Sequence, residues 1–137
     1  QLPLPENLAR VRQHIEARLQ TKLLSPALAR LAGLSVAGFN RAFIRHLGNS
    51  PARYVTEMRV REAARLLLQT EESIDAIAGN TGFPNRAYFS RIFKQVTDEG
   101  PAGFRRKHQR MTTGSGLSAT SAPQAHQSSA HRSLREC

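Results

Sequence analysis

Gly82-Phe83-Pro84-Asn85-Arg86-Ala87-Tyr88-Phe89-Ser90-Arg91-Ile92-Phe93-Lys94 lies at the centre of residues 73–107, and its reading decides how the rest of the chain folds. Just before it, Ile74, Ala76, Ile77 and Ala78 form a short amphipathic segment introduced by Ser73. A serine hydroxyl can accept an orphan N–H of a helix's first turn, so Ser73 reads as an N-cap. Gly82 supplies a residue able to take positive φ and end that helix, and Pro84 with Asn85 marks the start of the next. Two short helices joined by a tight turn outline a helix-turn-helix.

In the second of these helices Phe89 and Phe93 lie four apart with Ile92 beside them, which predicts an inward face. Ala87, Arg91 and Gln95 lie four apart on the opposite side, flanked by Arg86 and Lys94, with no acid among them. Positive charge and hydrogen-bond donors on the outer face of a second helix suit the DNA major groove, where Arg pairs bidentately with guanine. The bland alternative is a solvated basic face.

Ile74-x-x-Ile77-Ala78, Gly82-Phe83, Tyr88-Phe89-Ser90-Arg91-x-Phe93-Lys94, Pro101 and Phe104-Arg105 resemble the second helix-turn-helix signature of the AraC/XylS family of bacterial transcription regulators. Asp98 stands where that family usually has glycine. Asp tolerates left-handed backbone better than most residues, so the turn is expected to survive.

An earlier segment repeats the motif. Shifting by 50 positions superposes Ala37 on Ala87, Phe39 on Phe89, Arg41 on Arg91, Phe43 on Phe93, Pro51 on Pro101 and Tyr54 on Phe104. The exposed arginine recurs along with the aromatics, which core packing alone does not require. Here Ser25-Pro26 reads as an N-cap followed by proline at the first helical position, and Gly33 closes that helix. Ser35 caps the next, with Val36, Phe39, Phe43 and Leu47 inward, Ala37, Arg41 and Arg45 outward and Asn40 at the edge. Leu34-Ser35, Phe39-x-Arg41-x-Phe43 and Gly48-x-Ser50-Pro51 are similar to the family's first unit.

Before the first unit, Leu8, Val11, Ile15 and Leu19 predict a helix over residues 6–20. Between the units, Ser50-Pro51 opens a stretch without Gly or Pro to Thr70, with Val60, Ala63, Ala64 and Leu67 as its buried stripe and Arg59, Arg61 and Arg65 largely exposed. Some 19 residues at about 1.5 Å each give a rod on the order of 30 Å, close to a DNA turn of roughly 34 Å. The expectation is therefore two reading helices in successive major grooves.

The outcome is an all-α domain of about seven helices over residues 5–110. A first helix-turn-helix covers about 25–48, a linker helix about 50–70 and a second helix-turn-helix about 73–97. Residues 111–137, rich in Ser, Thr, Ala and Gln and poor in large apolar side chains, read as a disordered tail. The sites expected on DNA are Ala37, Asn40, Arg41 and Arg45 in the first unit, Arg45 on phosphate. In the second they are Arg86, Ser90 and Arg91 at base edges, Asn85 and Lys94 nearer the backbone, and Ala87 on the same outer face. Arg105, Arg106, Lys107 and Arg110 form a basic run whose default role is solvated charge.

The chain's 137 residues carry 20 Lys+Arg against 10 Asp+Glu, a formal charge of +10 that favours polyanions. No run of 18 apolar residues exists and the amino end lacks a signal-peptide layout, so the expected location is cytoplasmic, without membrane contact. The lone Cys137 excludes an intramolecular disulfide, and the five scattered histidines, at 14, 46, 108, 126 and 131, pair with no ligand at metal spacing. No enzyme motif, cofactor or metal site is therefore expected. The rival classes are a non-specific basic nucleic-acid binder, which would expose aromatics for stacking, and a helical protein-interaction module, for which only Tyr88 and Ile44 are candidates. The resemblance implies sequence-specific binding of double-stranded promoter DNA, activators of the family contacting RNA polymerase, and a separate sensing or dimerisation domain missing from this chain.

Overall fold

The computed structural model describes residues 3–114, with side chains as far as Gln109. Seven helices and no strand occur among the described residues: α1 (Glu6–Ala17), α2 (Ser25–Ala32), α3 (Val36–Leu47), α4 (Pro51–Gln69), α5 (Ile74–Asn80), α6 (Arg86–Thr97) and α7 (Pro101–Gly114). The chain divides into two compact units, and the division falls between Met58 and Arg59, within α4. The expected tail begins inside α7, whose helix continues past Met111 to Gly114; the remainder of that expectation lies outside the described residues, as does Cys137.

The first unit is built on Leu8, Val11 and Ile15 of α1, Leu28, Ala29 and Ala32 of α2, Phe39 and Phe43 of α3 and Val55 of α4, with Leu19 and Tyr54 packed against them. Helix α1 stops three residues earlier than its periodicity predicts, because Arg18 leaves helical geometry and turns its N–H to the Ile15 carbonyl. Leu19 still reaches the core from beyond the helix end. Helix α2 also differs from expectation: Leu24 occupies the N-cap position and no side chain caps it, so Ser25 is already helical, although Pro26 does sit in the first turn. Two polar contacts tie the unit together. Asn7 Nδ2 donates to the Ala32 carbonyl at 3.1 Å, satisfying one orphan acceptor at the end of α2, and the Tyr54 hydroxyl donates to Glu16 at 2.7 Å.

The second unit gathers Val60, Ala63, Ala64 and Leu67 of α4 with Ile77, Ala78, Phe83, Phe89, Phe93, Val96 and Phe104. All four expected stripe residues of α4 are buried. Arg59 is half-buried rather than largely exposed, and burial pulls its guanidinium below the ordinary value while the charge interaction with Tyr88 opposes this. Arg105 departs furthest from the solvated role assigned to it. It is half-buried, and its Nε and Nη2 donate to the Leu67 and Thr70 carbonyls at 3.0 and 3.2 Å. A fork of N–H donors at the C-terminal end of α4 meets carbonyls that have no helical partner.

The turns of the two helix-turn-helices close by the same local bonds. The Gly33 N–H reaches the Arg30 carbonyl and the Leu34 N–H the Ala29 carbonyl; Gly82 and Phe83 do the same with Gly79 and Ala78. This pair of bonds is the Schellman arrangement, which needs a left-handed residue, and Gly33 and Gly82 have φ of 74° and 91°.

Candidate nucleic-acid interface

Helix α6 starts at Asn85, whose Oδ1 accepts the Tyr88 N–H at 2.8 Å. Its side-chain oxygen is thereby committed to the cap, leaving the amide NH₂ as the group free to donate outward. Phe89, Phe93 and Val96 point into the core. On the other side Arg86, Ala87, Arg91 and Lys94 are exposed and Ser90 is half-buried, so five of the expected second-unit residues share one outer face. Arg86 Nη1 lies 3.6 Å from Asp75 Oδ2 of α5, with both side chains in solvent. An exposed pair of this kind is weak and yields readily to a phosphate or a base edge.

Arg91 is held differently. Its Cζ stands 5.0 Å from the centroid of the Tyr88 ring, one helical turn away, and that ring in turn leans on Phe83 with centroids 6.2 Å apart. Stacking on an aromatic face restricts a long side chain that would otherwise sample many rotamers. Tyr88 was legible only as an apolar surface candidate; its i, i+3 spacing from Arg91 was the signal for this contact.

Helix α3 carries the same design with other side chains. The Ser35 hydroxyl accepts the Gly38 N–H at 3.0 Å, and Phe39 and Phe43 are fully buried. Ala37, Arg41 and Arg45 are exposed as expected, and Asn40 is half-buried, its Oδ1 shielded from solvent without a hydrogen bond among the described residues. Val36 is not inward: it is 40% exposed, because the first residue of α3 stands at the rim of the turn and not over the core. Ile44, at 48%, is exposed too.

A profile described as helix-turn-helix domain matches residues 28–107. The chain belongs to the AraC/XylS family of helix-turn-helix transcription regulators. The AraC/XylS chain is 38% identical over 100 residues to the HTH-type transcriptional regulator GlxA of Rhizobium meliloti, covering 73% of this chain and 31% of that regulator. It thus spans less than a third of that relative's length. Among solved structures it is similar to the C-terminal domain of AraT, a response regulator from Geobacillus stearothermophilus. That match has a TM-score of 0.74 and 31% identity, and covers 77% of this chain and 88% of the other. It is also similar to the DNA-binding domain of the global transcriptional factor AdpA, solved with a target DNA, at a TM-score of 0.75 and 27% identity over 78% and 96% of the two chains.

No group of three or more His, Cys, Asp or Glu able to hold a metal ion occurs among the described residues. No helix among them is long and apolar enough to cross a membrane.

Proposed function

We propose that this AraC/XylS chain is the promoter-reading part of a transcription regulator, binding double-stranded DNA sequence-specifically with one reading helix per unit, α3 and α6. The observation that carries the reading is the outer face of α6. Arg86, Ala87, Ser90, Arg91 and Lys94 stand together on the second helix of a helix-turn-helix whose inner face is filled by Phe89, Phe93 and Val96. Such a helix presents its N-terminal residues to base edges in the major groove. Arg86, Ser90 and Arg91 are assigned to bases, Asn85 and Lys94 to the sugar-phosphate backbone. Ala37, Asn40 and Arg41 are the corresponding readers on α3, with Arg45 on phosphate.

The target DNA in the AdpA structure supports the partner class, and a second reading unit within one chain removes the need for a palindromic site. In the complete protein a sensing or dimerisation domain supplies regulation, RNA polymerase is the partner of an activating form, and no catalysis is assigned. A non-specific binder is disfavoured because Phe39, Phe43, Phe83, Phe89, Phe93 and Phe104 are all buried, leaving Tyr88 as the exposed aromatic among the described residues.

The test is a selection from random duplex DNA at near-physiological salt, followed by salt titration of the best site against a scrambled one. Two short motifs separated by about one helical turn and bound by a monomer are expected. Equal affinity for every duplex would reduce the chain to a basic polyanion binder.

A further inference from the structure

The two reading faces differ in chemistry at matched positions. On α3, Ala37, Arg41 and Ile44 follow the i, i+4, i+7 spacing of a single stripe and all three are exposed. Val36 adds a third exposed aliphatic at the helix start. Fifty residues later the same positions hold Ala87, Arg91, Lys94 and Arg86. Ala37 and Arg41 thus keep their counterparts and Arg45 stands where α6 has Gln95, but Val36 and Ile44 put aliphatic side chains where α6 carries Arg86 and Lys94.

We infer that α3 reads a thymine-rich half-site through methyl contacts made by Val36, Ala37 and Ile44, while α6 reads a guanine-containing half-site through its arginines. This rests on the DNA-reading proposal above and assigns the chemistry of the first half-site. The major-groove edge of thymine is the one base edge that offers an apolar group, its C5 methyl, and aliphatic side chains are its partners. An isoleucine in solvent at the far end of that stripe gains by covering a methyl, since both surfaces leave water. Lys94 at the matching place on α6 offers a point charge suited to phosphate instead. Arg41 supplies the one charged hydrogen-bond donor of the α3 stripe and anchors the methyl contacts beside a purine.

The experiment replaces, one at a time, each thymine of the selected site by deoxyuridine, which removes the C5 methyl and keeps every hydrogen-bonding group. With the full chain, uridine at one or two positions of the α3 half-site is expected to weaken binding about fourfold per methyl, with the salt slope unchanged. Deoxyuridine in the α6 half-site is expected to cost at most the one methyl within reach of Ala87. In Ile44→Ala the penalty at one of those positions disappears, because the contact has already been lost. Ile44 is exposed, so this variant keeps the core, and helical circular dichroism verifies its folding. A selected motif whose deoxyuridine substitutions are all neutral, or a set of penalties that Ile44→Ala and Val36→Ala both leave unchanged at every position, overturns the inference alone and leaves those aliphatics to a protein partner. Failure to select any motif overturns the DNA reading and this inference together.

Discussion

Helices α3 and α6 stack their phenylalanine pairs, Phe39 with Phe43 and Phe89 with Phe93, at the same centroid distance of 5.5 Å and the same interplanar angle of 62°. The next ring repeats as well, Tyr54 against Phe43 at 5.4 Å and Phe104 against Phe93 at 5.2 Å. Outside the cores the likeness is partial: Ala37 and Arg41 answer to Ala87 and Arg91, but Val36 answers to Arg86, Gly38 to Tyr88 and Ile44 to Lys94. Close-packed interiors tolerate little change in volume, whereas an exposed position is constrained by what it touches when bound. Two copies of one unit thus keep one interior and present two chemistries outward.

The strongest way to break the likeness lies in the cores. Phe43→Ala and Phe93→Ala should each cost about 3–5 kcal/mol, and denaturant unfolding of the two variants should give similar losses because the two sites have the same ring geometry. A large inequality would show that the cores differ in how well they collapse around the missing ring.

Arg91→Ala should weaken DNA binding by about 1–3 kcal/mol and relax preference at one base position, read by competition against single-base variants of the selected site. Arg41→Ala should relax a position in the other half-site. Unchanged affinity and preference for Arg91→Ala would sink the assignment of α6 as a reader.

The helix ends offer a smaller contrast. Gly48 and Asp98 both end their helices in left-handed backbone, at φ of 86° and 70°, and each N–H reaches back four residues, to Ile44 and Lys94. A Cβ at Gly48 would meet nothing within 4 Å, so Gly48→Ala carries the backbone strain alone, about 1–2 kcal/mol. Asp98→Gly should move thermal stability the other way, by less, since aspartate already tolerates this conformation.

The smallest effect separates the arginines. Tyr88→Ala should cost about 0.5–1 kcal/mol of binding through Arg91 and broaden preference at the base position that Arg91→Ala relaxes, while Tyr88→Phe keeps the ring and restores it. Arg41 has no counterpart ring, because Gly38 stands at that place. A Tyr88→Phe variant as weak as Tyr88→Ala would show that the hydroxyl, not the stacked face, is what matters.

Much of this is legible in the sequence. The Ser73, Ser35 and Asn85 starts, the Gly33 and Gly82 turns, the buried stripe of α4 and the outward Arg41, Arg86 and Arg91 all follow from rules spanning about one helical turn. The misplacements occur where such rules stop. Ser25 lost its cap to Leu24 by one residue, Val36 sits where the helix has only begun to face the core, and Leu19 enters the core without being helical.

The sequence by itself determined that the chain is helical, that it contains one unit twice, and which side of α3 and of α6 faces out, since periodicity and capping are local and side-chain direction repeats every 3.6 residues. Only the tertiary structure decided that Arg105 closes the end of α4 from 38 and 35 residues away, that Asp75 of α5 pairs with Arg86, and that Arg59 is half-buried and charge-coupled to Tyr88. Those contacts join distant segments, and no local rule specifies which charge will find which partner once the apolar faces have packed.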